Sequence, residues 1–310
     1  MTDVRVGMFP PAAEFTGTLG GSEALRGTLA RMADQGVDHV CVGDHVSFFV
    51  GAGSDGLTTA TAVCAAHPEL PVYVALYLLP LRHPVLVARQ LATLSQLAPG
   101  RLTFGVGLGG EDPHEVEICD VDPRTRGRRM DECLHILSRL SAGTPVSFDG
   151  TFFSLRDALI LPAPSPRIPV IVGGRSAAAV NRAARLGDGW LGIWVSPPRF
   201  AAVRDQIARE AAEAGRNGHE FSHALNVWCG FAPKRAAARG FVSAQMQAFY
   251  QMPFEPFERY SPYGSPTEVA EFLIPYVDAG CSAFNLIPCA IDIDGATSAV
   301  AEVRRLLSVR

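Results

Sequence analysis

One stretch of the sequence governs the fold: Val37-Asp38-His39-Val40-Cys41-Val42-Gly43-Asp44-His45. Its apolar residues occupy both faces of a strand pattern, which is typical of a parallel sheet that is covered on both sides. Aspartate and histidine are unusual at the end of such a run. We therefore expect the strand to end at Gly43 and to carry Asp44 and His45 at its carboxyl end, where enzymes built on parallel sheets place their chemistry.

Strand and helix patterns alternate on both sides of this stretch. The predicted strands cover residues 5–9, 37–43, 72–79, 102–107, 170–172, 190–195, 225–231 and 283–287. The predicted helices cover residues 22–35, 59–66, 84–97, 124–141, 176–186, 198–214, 235–250, 267–279 and 296–307. Eight strands that alternate with helices predict an α/β fold, a (β/α)8 TIM barrel.

Two segments interrupt the alternation. A hairpin pattern around Asp149-Gly150 and the prolines after it predict an insertion at about 143–168, after the fourth strand and its helix. A helical excursion is predicted at about 235–262. Because 310 residues lie within the range of one barrel, we expect a single domain over residues 1–310. In the first helix, Ser22 is predicted to cap the amino end.

The composition describes a protein that can bury a full core, with 48% hydrophobic and 19% charged residues. A net charge of -4 argues against nucleic acid or an anionic membrane as a partner. The seven cysteines are scattered and form no C-x-x-C pair, so we expect a reduced, cytoplasmic protein without a disulfide framework or a structural zinc site. Residues 1–9 lack a signal-peptide pattern, and the apolar run 70–81 is too short to span a bilayer.

Residues that follow barrel strands meet at one rim of the fold. The predicted rim contains Phe9, Asp44, His45, Leu79, 107–112, 173–176, Trp194 and Phe231. A histidine beside an aspartate can hold or transfer a proton near neutral pH, and the alternative is an aspartate that caps the next turn beside an exposed histidine. A metal site is not expected, because this rim offers one histidine and barrel metal sites use several histidines and carboxylates.

Two glycine-rich turns follow predicted strands. The run 105–110 formally matches G-x-G-x-x-G, but residues 111–113 separate it from the next helix. We interpret this run either as a close approach for a flat ligand or as a flexible turn. The run Gly173-Gly174-Arg175-Ser176 leads from a strand into a helix, which suits an anion such as a cofactor phosphate, and capping by Ser176 alone is the alternative.

Other residues near the rim have simpler interpretations. Arg82-His83-Pro84 is interpreted as a structural anchor that starts the next helix. A group of aromatic residues either walls an apolar substrate pocket or packs in the core. These residues are Phe48, Phe49, Trp194, Trp228, Phe249, Tyr250, Phe254 and Phe257.

An ordered set of short motifs extends along almost the whole chain. It begins with Val42-Gly43-Asp44-His45, Leu81-Arg82-His83-Pro84, Gly100-Arg101-Leu102 and Gly105-Val106-Gly107. It continues with Asp122-Pro123, Arg126-Gly127-Arg128, Phe148-Asp149-Gly150, Pro169-Val170-Ile171-Val172-Gly173-Gly174, Gly187-Asp188-Gly189-Trp190 and Asp278-Ala279-Gly280. In this order the motifs resemble those of the luciferase-like monooxygenase superfamily.

The resemblance implies a TIM barrel with an insertion segment and a flavin-type cofactor, either coenzyme F420 or flavin mononucleotide (FMN). The Gly-Asp-His motif and the chain length are similar to the F420-using branch. In that branch the histidine that matches His45 lies beside the reacting ring, and a non-prolyl cis peptide, by register Ala75-Leu76, lies behind it. Together with the glycine-rich turns, this puts the expected cofactor contacts at Asp44, Ala75, Leu76, Gly107, Gly109, Gly173, Gly174, Arg175 and Ser176.

We therefore expect an F420-dependent oxidoreductase that transfers a hydride between the deazaflavin and a small organic substrate. His45 would donate or accept a proton or stabilise charge, Asp44 would orient it or pack against the cofactor, and Glu111 is a second candidate acid or base. The expected substrate contacts are Phe9, Phe48, Phe49 and Trp194.

The likeness to the sugar-phosphate dehydrogenase type within this family is incomplete. Those relatives carry a tryptophan shortly after the histidine and a glutamate immediately after the fourth-strand glycines. Here Phe48-Phe49 and Gly110-Glu111 occupy these places, which argues against a sugar phosphate as substrate.

Two other functions remain open. One is an FMN-dependent luciferase-like monooxygenase that receives reduced flavin from a partner reductase, and the other is a non-catalytic barrel that binds a flavin or deazaflavin. A flavin or F420 reductase is the expected indirect partner, and the resemblance favours a homodimer.

Overall fold

The computed structural model describes residues 4–10, 21–49 and 51–308. Its strands are β1 (Arg5–Met8), β2 (His39–Val42), β3 (Val72–Leu78), β4 (Leu102–Gly107), β5 (Val146–Asp149), β6 (Ser154–Ala158), β7 (Val170–Gly173), β8 (Gly189–Ile193), β9 (Ala224–Phe231), β10 (Tyr263–Gly264) and β11 (Ala283–Cys289). Eight of them pair in parallel in the order β1-β2-β3-β4-β7-β8-β9-β11, and β11 pairs with β1 to close the circle. The predicted TIM barrel is confirmed.

Helices surround the barrel. They are α1 (Gly21–Asp34), α2 (Gly56–Ala66), α3 (Pro84–Leu97), α4 (Pro113–Glu117), α5 (Arg126–Leu140), α6 (Ala177–Leu186), α7 (Pro197–Glu213), α8 (Arg235–Tyr250), α9 (Glu255–Glu258), α10 (Pro266–Asp278) and α11 (Ile293–Ser308). Within the described ranges, no helix combines the length and apolar character that crossing a bilayer requires.

Several predicted helix starts differ from the structure, by three residues at both α2 and α11. Ser22 lies inside the first turn of α1 and does not cap it. The second helix begins at Gly56, three residues before the predicted start, because the Asp55 side chain accepts a hydrogen bond from the Thr58 backbone N–H at 2.8 Å and caps the helix. This cap outweighs the low helix propensity of glycine and threonine at the start of α2.

Strand residues alternate between the outside and the inside of the barrel, as the two-residue period of a strand requires. On β2, Val40 and Val42 pack under the helices, whereas Cys41 packs inside the barrel with Tyr73 and Ala75 of β3. Both faces of each strand are therefore buried, which explains why the strand patterns are apolar throughout.

Two segments depart from the simple alternation. Strands β5 and β6 form an antiparallel hairpin outside the barrel sheet, within the predicted insertion. The Glu132 carboxylate of α5 accepts hydrogen bonds from the backbone N–H groups of Thr151, Phe152 and Phe153 at 2.7 to 3.1 Å, which ties the hairpin turn to the barrel. After β9, helix α8 ends with Phe249 and Tyr250, which lie at the mouth of the barrel.

Candidate functional site

A cavity of about 410 Å³ opens at the carboxyl ends of the barrel strands. The predicted site residues that line it are Phe9, Asp44, His45, Phe48, Ala75, Leu76, Gly107, Gly109, Glu111, Gly173, Gly174, Arg175, Ser176 and Trp194. Phe49 was also predicted to contact substrate but does not line the cavity, and its side chain is exposed. Leu79 and Phe231, which were expected on the rim, are buried in the core.

His45 lies on the cavity wall and is held by a carboxylate that the sequence did not single out. Its Nδ1 lies 3.1 Å from Oε2 and 3.2 Å from Oε1 of Glu115, whose side chain is 2% exposed. The same carboxylate accepts hydrogen bonds from the backbone N–H groups of Val46 at 2.7 Å and Ser47 at 3.2 Å. Glu115 therefore fixes both the ring and the loop that carries it.

The hydrogen bonds to Glu115 also determine its charge state. Burial acts to raise the pKa of this carboxyl, but His45 and the two backbone N–H groups outweigh burial, and the pKa lies below its ordinary value of 4.5. Glu115 is thus ionised at neutral pH. An ionised carboxylate next to Nδ1 requires a proton on Nδ1, which leaves Nε2 as the ring nitrogen available to the cavity.

Asp44 has a different environment, and the prediction that it orients His45 is wrong. Its Oδ1 accepts from the Gly56 backbone N–H and from Arg82, at 2.9 and 2.8 Å. Its Oδ2 accepts from the Leu78 backbone N–H and from Arg82, at 2.8 and 2.7 Å. Burial raises the pKa of this carboxyl, and Arg82 and the backbone donors oppose that shift. Arg82 anchors Asp44, and the His83 side chain caps α3 directly before Pro84, which agrees with the interpretation of Arg82-His83-Pro84 as a structural anchor that starts this helix.

The turn after β7 presents hydrogen-bond donors that suit an anion. The Ser176 side chain caps α6 by accepting from the Ala179 backbone N–H at 3.2 Å, which leaves earlier N–H groups of the helix without a helical partner. The Gly174 carbonyl accepts from the Trp190 indole N–H at 2.7 Å, which holds the turn in place. The exposed Arg175 lies over the Trp194 ring, with its Cζ 5.4 Å from the ring centroid. Helix N–H groups and a guanidinium suit a phosphate.

The third strand carries the structural feature that the resemblance implied. The Ala75–Leu76 peptide bond is cis, and β3 has an irregularity in its pairing with β4 at this point. The Leu76 side chain enters the barrel between two glycines, because a Cβ on Gly107 would lie 2.9 Å, and a Cβ on Gly173 2.2 Å, from its Cδ1. At these two positions the missing side chains make room for Leu76.

Aromatic rings form another part of the wall. Phe48 stacks at a tilt on His45, with ring centroids 4.1 Å apart, and lies 4.9 Å from Phe249. Trp228 and Tyr250 continue this wall, and the Trp228 indole N–H donates to the Tyr250 hydroxyl at 3.3 Å. These aromatic residues thus line the cavity, whereas Phe254 is buried in the core.

Trp194 has two unusual properties. Its backbone φ of +52° lies in the left-handed region, which is uncommon for a bulky residue. Its indole nitrogen is buried and has no hydrogen-bond partner among the described residues. Such features concentrate at binding sites, where a ligand can supply the missing acceptor.

The charges on the wall restrict the ligand. Among the described residues that line the cavity, Arg175 is the one arginine or lysine, and Glu111 is an exposed carboxylate on the same wall. Nowhere in the described ranges do three or more histidine, cysteine, aspartate or glutamate side chains gather to hold a metal ion. The cavity therefore combines one cationic end with a largely apolar remainder.

Sequence reasoning missed Glu115, Asn226 and the pairing of Asp44 with Arg82. Glu115 follows Asp112-Pro113, a pattern that indicates a helix start, and Asp112 does cap α4. The pattern has no signal for a partner 70 residues away. Asn226 lies inside the predicted seventh strand, where an asparagine is unusual, and this was the available signal.

A family model described as luciferase-like monooxygenase matches residues 4–271. The chain is 36% identical over 167 residues to an F420-dependent glucose-6-phosphate dehydrogenase of Beutenbergia cavernae, which covers 52% of this chain and 49% of that protein. A protein of the same name from Kineococcus radiotolerans is 27% identical over 277 residues, which covers 80% of this chain and 81% of the relative. The chain spans about half the length of the first curated relatives it matches.

A solved structure supports the fold. An F420-dependent secondary alcohol dehydrogenase in complex with an F420-acetone adduct superposes with a TM-score of 0.85 at 20% sequence identity. The superposition covers 98% of this chain and 99% of that one. At this identity the likeness concerns the barrel and its connections.

Proposed function

Because the chain belongs to the luciferase-like monooxygenase family, we propose that it is an F420-dependent oxidoreductase that transfers a hydride between the deazaflavin and a small organic substrate. One observation carries the proposal. His45, which the buried Glu115 carboxylate holds, lines the same cavity as the turn 173–176, whose N–H groups and guanidinium suit a phosphate. Relatives that are named F420-dependent dehydrogenases support it.

The chain offers suitable groups for such a cofactor. The first N–H groups of α6, Ser176 and Arg175 would bind its phosphate, and the Trp194 indole N–H would find an acceptor on the bound molecule. Ala75 and Leu76 would support the ring from the barrel side, and Gly109 and Gly174 would border it. Asp44 would contribute through the wall that it holds with Arg82, because its oxygens are already occupied.

His45 is the proposed acid–base residue. The bound deazaflavin supplies or accepts the hydride. Nε2 of His45 would accept the proton of a substrate hydroxyl when the substrate is oxidised and return it to an oxygen when the substrate is reduced. The Glu115 carboxylate would stabilise the positive ring that forms and keep Nε2 directed into the cavity. Glu111 remains a second candidate, although it is exposed on the rim.

The aromatic residues that line the cavity favour a neutral, largely apolar substrate. Phe9, Phe48 and Trp194 were predicted to contact substrate, and Trp228, Phe249 and Tyr250 extend the same surface. Arg175, the cation on the described wall, is assigned to the cofactor, so no second cation is left for a sugar phosphate. The proposed substrate is therefore a small alcohol or ketone with an apolar body. The homodimer, the reductase partner and the cytoplasmic location stay predictions.

Parallel titrations with F420 and FMN test this function, each followed by a redox assay on a panel of small alcohols and ketones. Binding of F420 with substrate-dependent change in its absorbance would support the proposal. Binding of FMN alone, with oxygen consumption when reduced FMN is supplied, would support the monooxygenase alternative. Binding of either cofactor without turnover on any substrate would support a carrier or sensor.

A further inference from the structure

A row of polar side chains crosses the barrel interior beneath the cavity. It consists of Asn226 on β9, Asn285 on β11 and His39 on β2, and we call it the interior relay. Asn285 Nδ2 donates to Asn226 Oδ1 at 3.0 Å, and His39 Nε2 lies 2.7 Å from Asn285 Oδ1. Asn285 is 0% and His39 3% exposed, whereas Asn226 lines the cavity. The relay therefore connects the closed core to the ligand space.

Strand register explains how these residues meet. Asn226 and Asn285 are direct partners in the pairing of β9 with β11. Gly7 of β1 lies between the other two, because it pairs with Asn285 on one side and with His39 on the other. A Cβ on Gly7 would lie 2.3 Å from His39 Nε2, so only a glycine at this position lets the imidazole reach across β1.

Which ring nitrogen of His39 carries the proton determines which groups donate and which accept hydrogen bonds along the interior relay. Burial lowers the pKa of His39 to about 4, so the ring is neutral and carries one N–H at pH 7. Nδ1 is buried and has no hydrogen-bond partner within the described part of the chain. A proton on Nδ1 would leave a buried donor without an acceptor. It would also place the lone pair of Nε2 against a lone pair of Asn285 Oδ1, only 2.7 Å away. The proton therefore resides on Nε2.

The other hydrogen bonds of the interior relay follow from the donor and acceptor of each asparagine amide. His39 Nε2–H donates to Asn285 Oδ1, and the Asn285 NH2 group donates to Asn226 Oδ1. Asn226 thus keeps its own NH2 group for the cavity. No other residue in the described ranges accepts a hydrogen bond from Asn226 Nδ2, and the group has access to the ligand space.

We propose that Asn226 is a ligand-binding donor of this cavity, and that Asn285 and His39 are positioning residues that hold its NH2 group toward a carbonyl oxygen of the bound molecule. The proposal rests on the proposed function in one respect: a molecule with such an oxygen occupies the cavity. The oxygen belongs either to the deazaflavin ring or to the substrate, and the two sources give different results below.

The first experiment replaces the donor alone. Asn226→Asp keeps an oxygen for Asn285 and replaces the NH2 group that faces the cavity with a second carboxylate oxygen. If the carbonyl belongs to the deazaflavin, the Kd for F420 in a fluorescence titration rises about tenfold. If it belongs to the substrate, the Kd for F420 is unchanged and KM rises about tenfold. Asn217→Asp, the same change in an exposed turn, is the control. Unchanged Kd and KM would overturn the proposal.

The second experiment separates positioning from packing at His39. In His39→Gln, the amide nitrogen can take the place of Nε2 and donate to Asn285, so the affinity that Asn226→Asp weakens should stay within about threefold of the wild type. His39→Leu removes the donor and should weaken the same affinity about fivefold or more. Thermal melting establishes that both variants fold. Equal affinities for the two folded variants would contradict the positioning role.

A third measurement does not depend on any ligand. The ¹⁵N chemical shifts of the His39 ring in the free protein, assigned with His39→Gln, report which nitrogen carries the proton. The Nε2–H tautomer supports the relay, and an Nδ1–H tautomer overturns it. A wild type that binds neither F420 nor FMN would contradict the proposed function, whereas the tautomer would still decide the direction of the relay.

Discussion

Asp44 and His45 are neighbours at the end of β2, yet their side chains enter opposite environments. Asp44 turns into the wall, where its two oxygens accept four hydrogen bonds from Arg82, Gly56 and Leu78. His45 turns to the cavity, where Glu115 holds one ring nitrogen. Successive side chains of an extended segment point to opposite sides, so one strand end can serve both the scaffold and the chemistry.

The two pairs differ in the kind of cation that the carboxylate faces. Arg82 stays charged at every accessible pH, so its pair with Asp44 has one state. His45 is the side chain proposed to take up and return the substrate proton, so its pair with Glu115 passes through two protonation states during turnover. We therefore expect the first pair to determine stability and the second to determine turnover.

The largest expected effect is on stability. Arg82→Met leaves the Asp44 carboxylate buried without its cation, and breaking such a pair costs about 3–5 kcal/mol. Urea denaturation measures this loss in the free energy of unfolding. Arg89→Met, which removes one exposed hydrogen bond to the Leu161 carbonyl, should cost less than about 1 kcal/mol. An Arg82→Met variant as stable as the wild type would contradict the role of the Arg82–Asp44 pair in stability.

The second effect is on turnover. His45→Ala removes the proposed acid–base group, and kcat should fall about 100-fold or more. The Kd for F420 should stay within about threefold, because the proposed phosphate contacts come from the turn after β7 and not from His45. Steady-state kinetics and a fluorescence titration measure the two quantities, with His135→Ala on the outer face of α5 as the control. Unchanged turnover would exclude His45 as the acid–base group.

The third effect concerns the partner of the imidazole. Glu115→Gln keeps an oxygen for the backbone N–H groups of Val46 and Ser47 but no longer stabilises a charged ring, so kcat should fall about tenfold. Glu117→Gln, an exposed position on the same helix, should leave kcat unchanged. A Glu115→Gln variant with wild-type kcat would mean that Glu115 only supports the loop.

The same variant has a pH signature. The folded-state pKa of Glu115 lies below 4.5, so the ionised carboxylate stabilises the fold above that pH, and this contribution is lost as the pH falls below 4.5. The difference in unfolding free energy between wild type and Glu115→Gln should therefore be largest near neutral pH and decrease in acid. Denaturation series from pH 7 to pH 3 measure it, and a difference that grows in acid would contradict the assignment.

The smallest effect is expected at the cationic end. Arg175 is exposed, so its attraction to a cofactor phosphate is screened, and Arg175→Ala should raise the Kd for F420 about threefold at low salt and less at high salt. Arg185→Ala, at the other end of α6, is the matched control. A salt-independent Kd in both wild type and Arg175→Ala would show that the phosphate is bound without this side chain.

Much of the site was open to prediction because strand ends in a parallel barrel converge. The positions of His45, Arg175 and Trp194 on one cavity follow from the strand patterns alone. The cis bond at Ala75–Leu76 followed from the resemblance and from the register of the third strand. The role of Leu76 beside Gly107 and Gly173 did not, because it depends on how three separate strands face one another inside the barrel.

The sequence by itself determined the barrel and its rim, since both follow from local periodicity and from the place where each strand stops. Only the tertiary structure decided which carboxylate faces His45 and which cation pairs with Asp44. It also decided that the NH2 group of Asn226, and not its carbonyl oxygen, faces the cavity. The partners in these three choices lie 70, 38 and 59 positions apart in the sequence. A hydrogen bond depends on distances of a few tenths of an ångström, and that precision arises only when the packed strands and loops hold both partners in place.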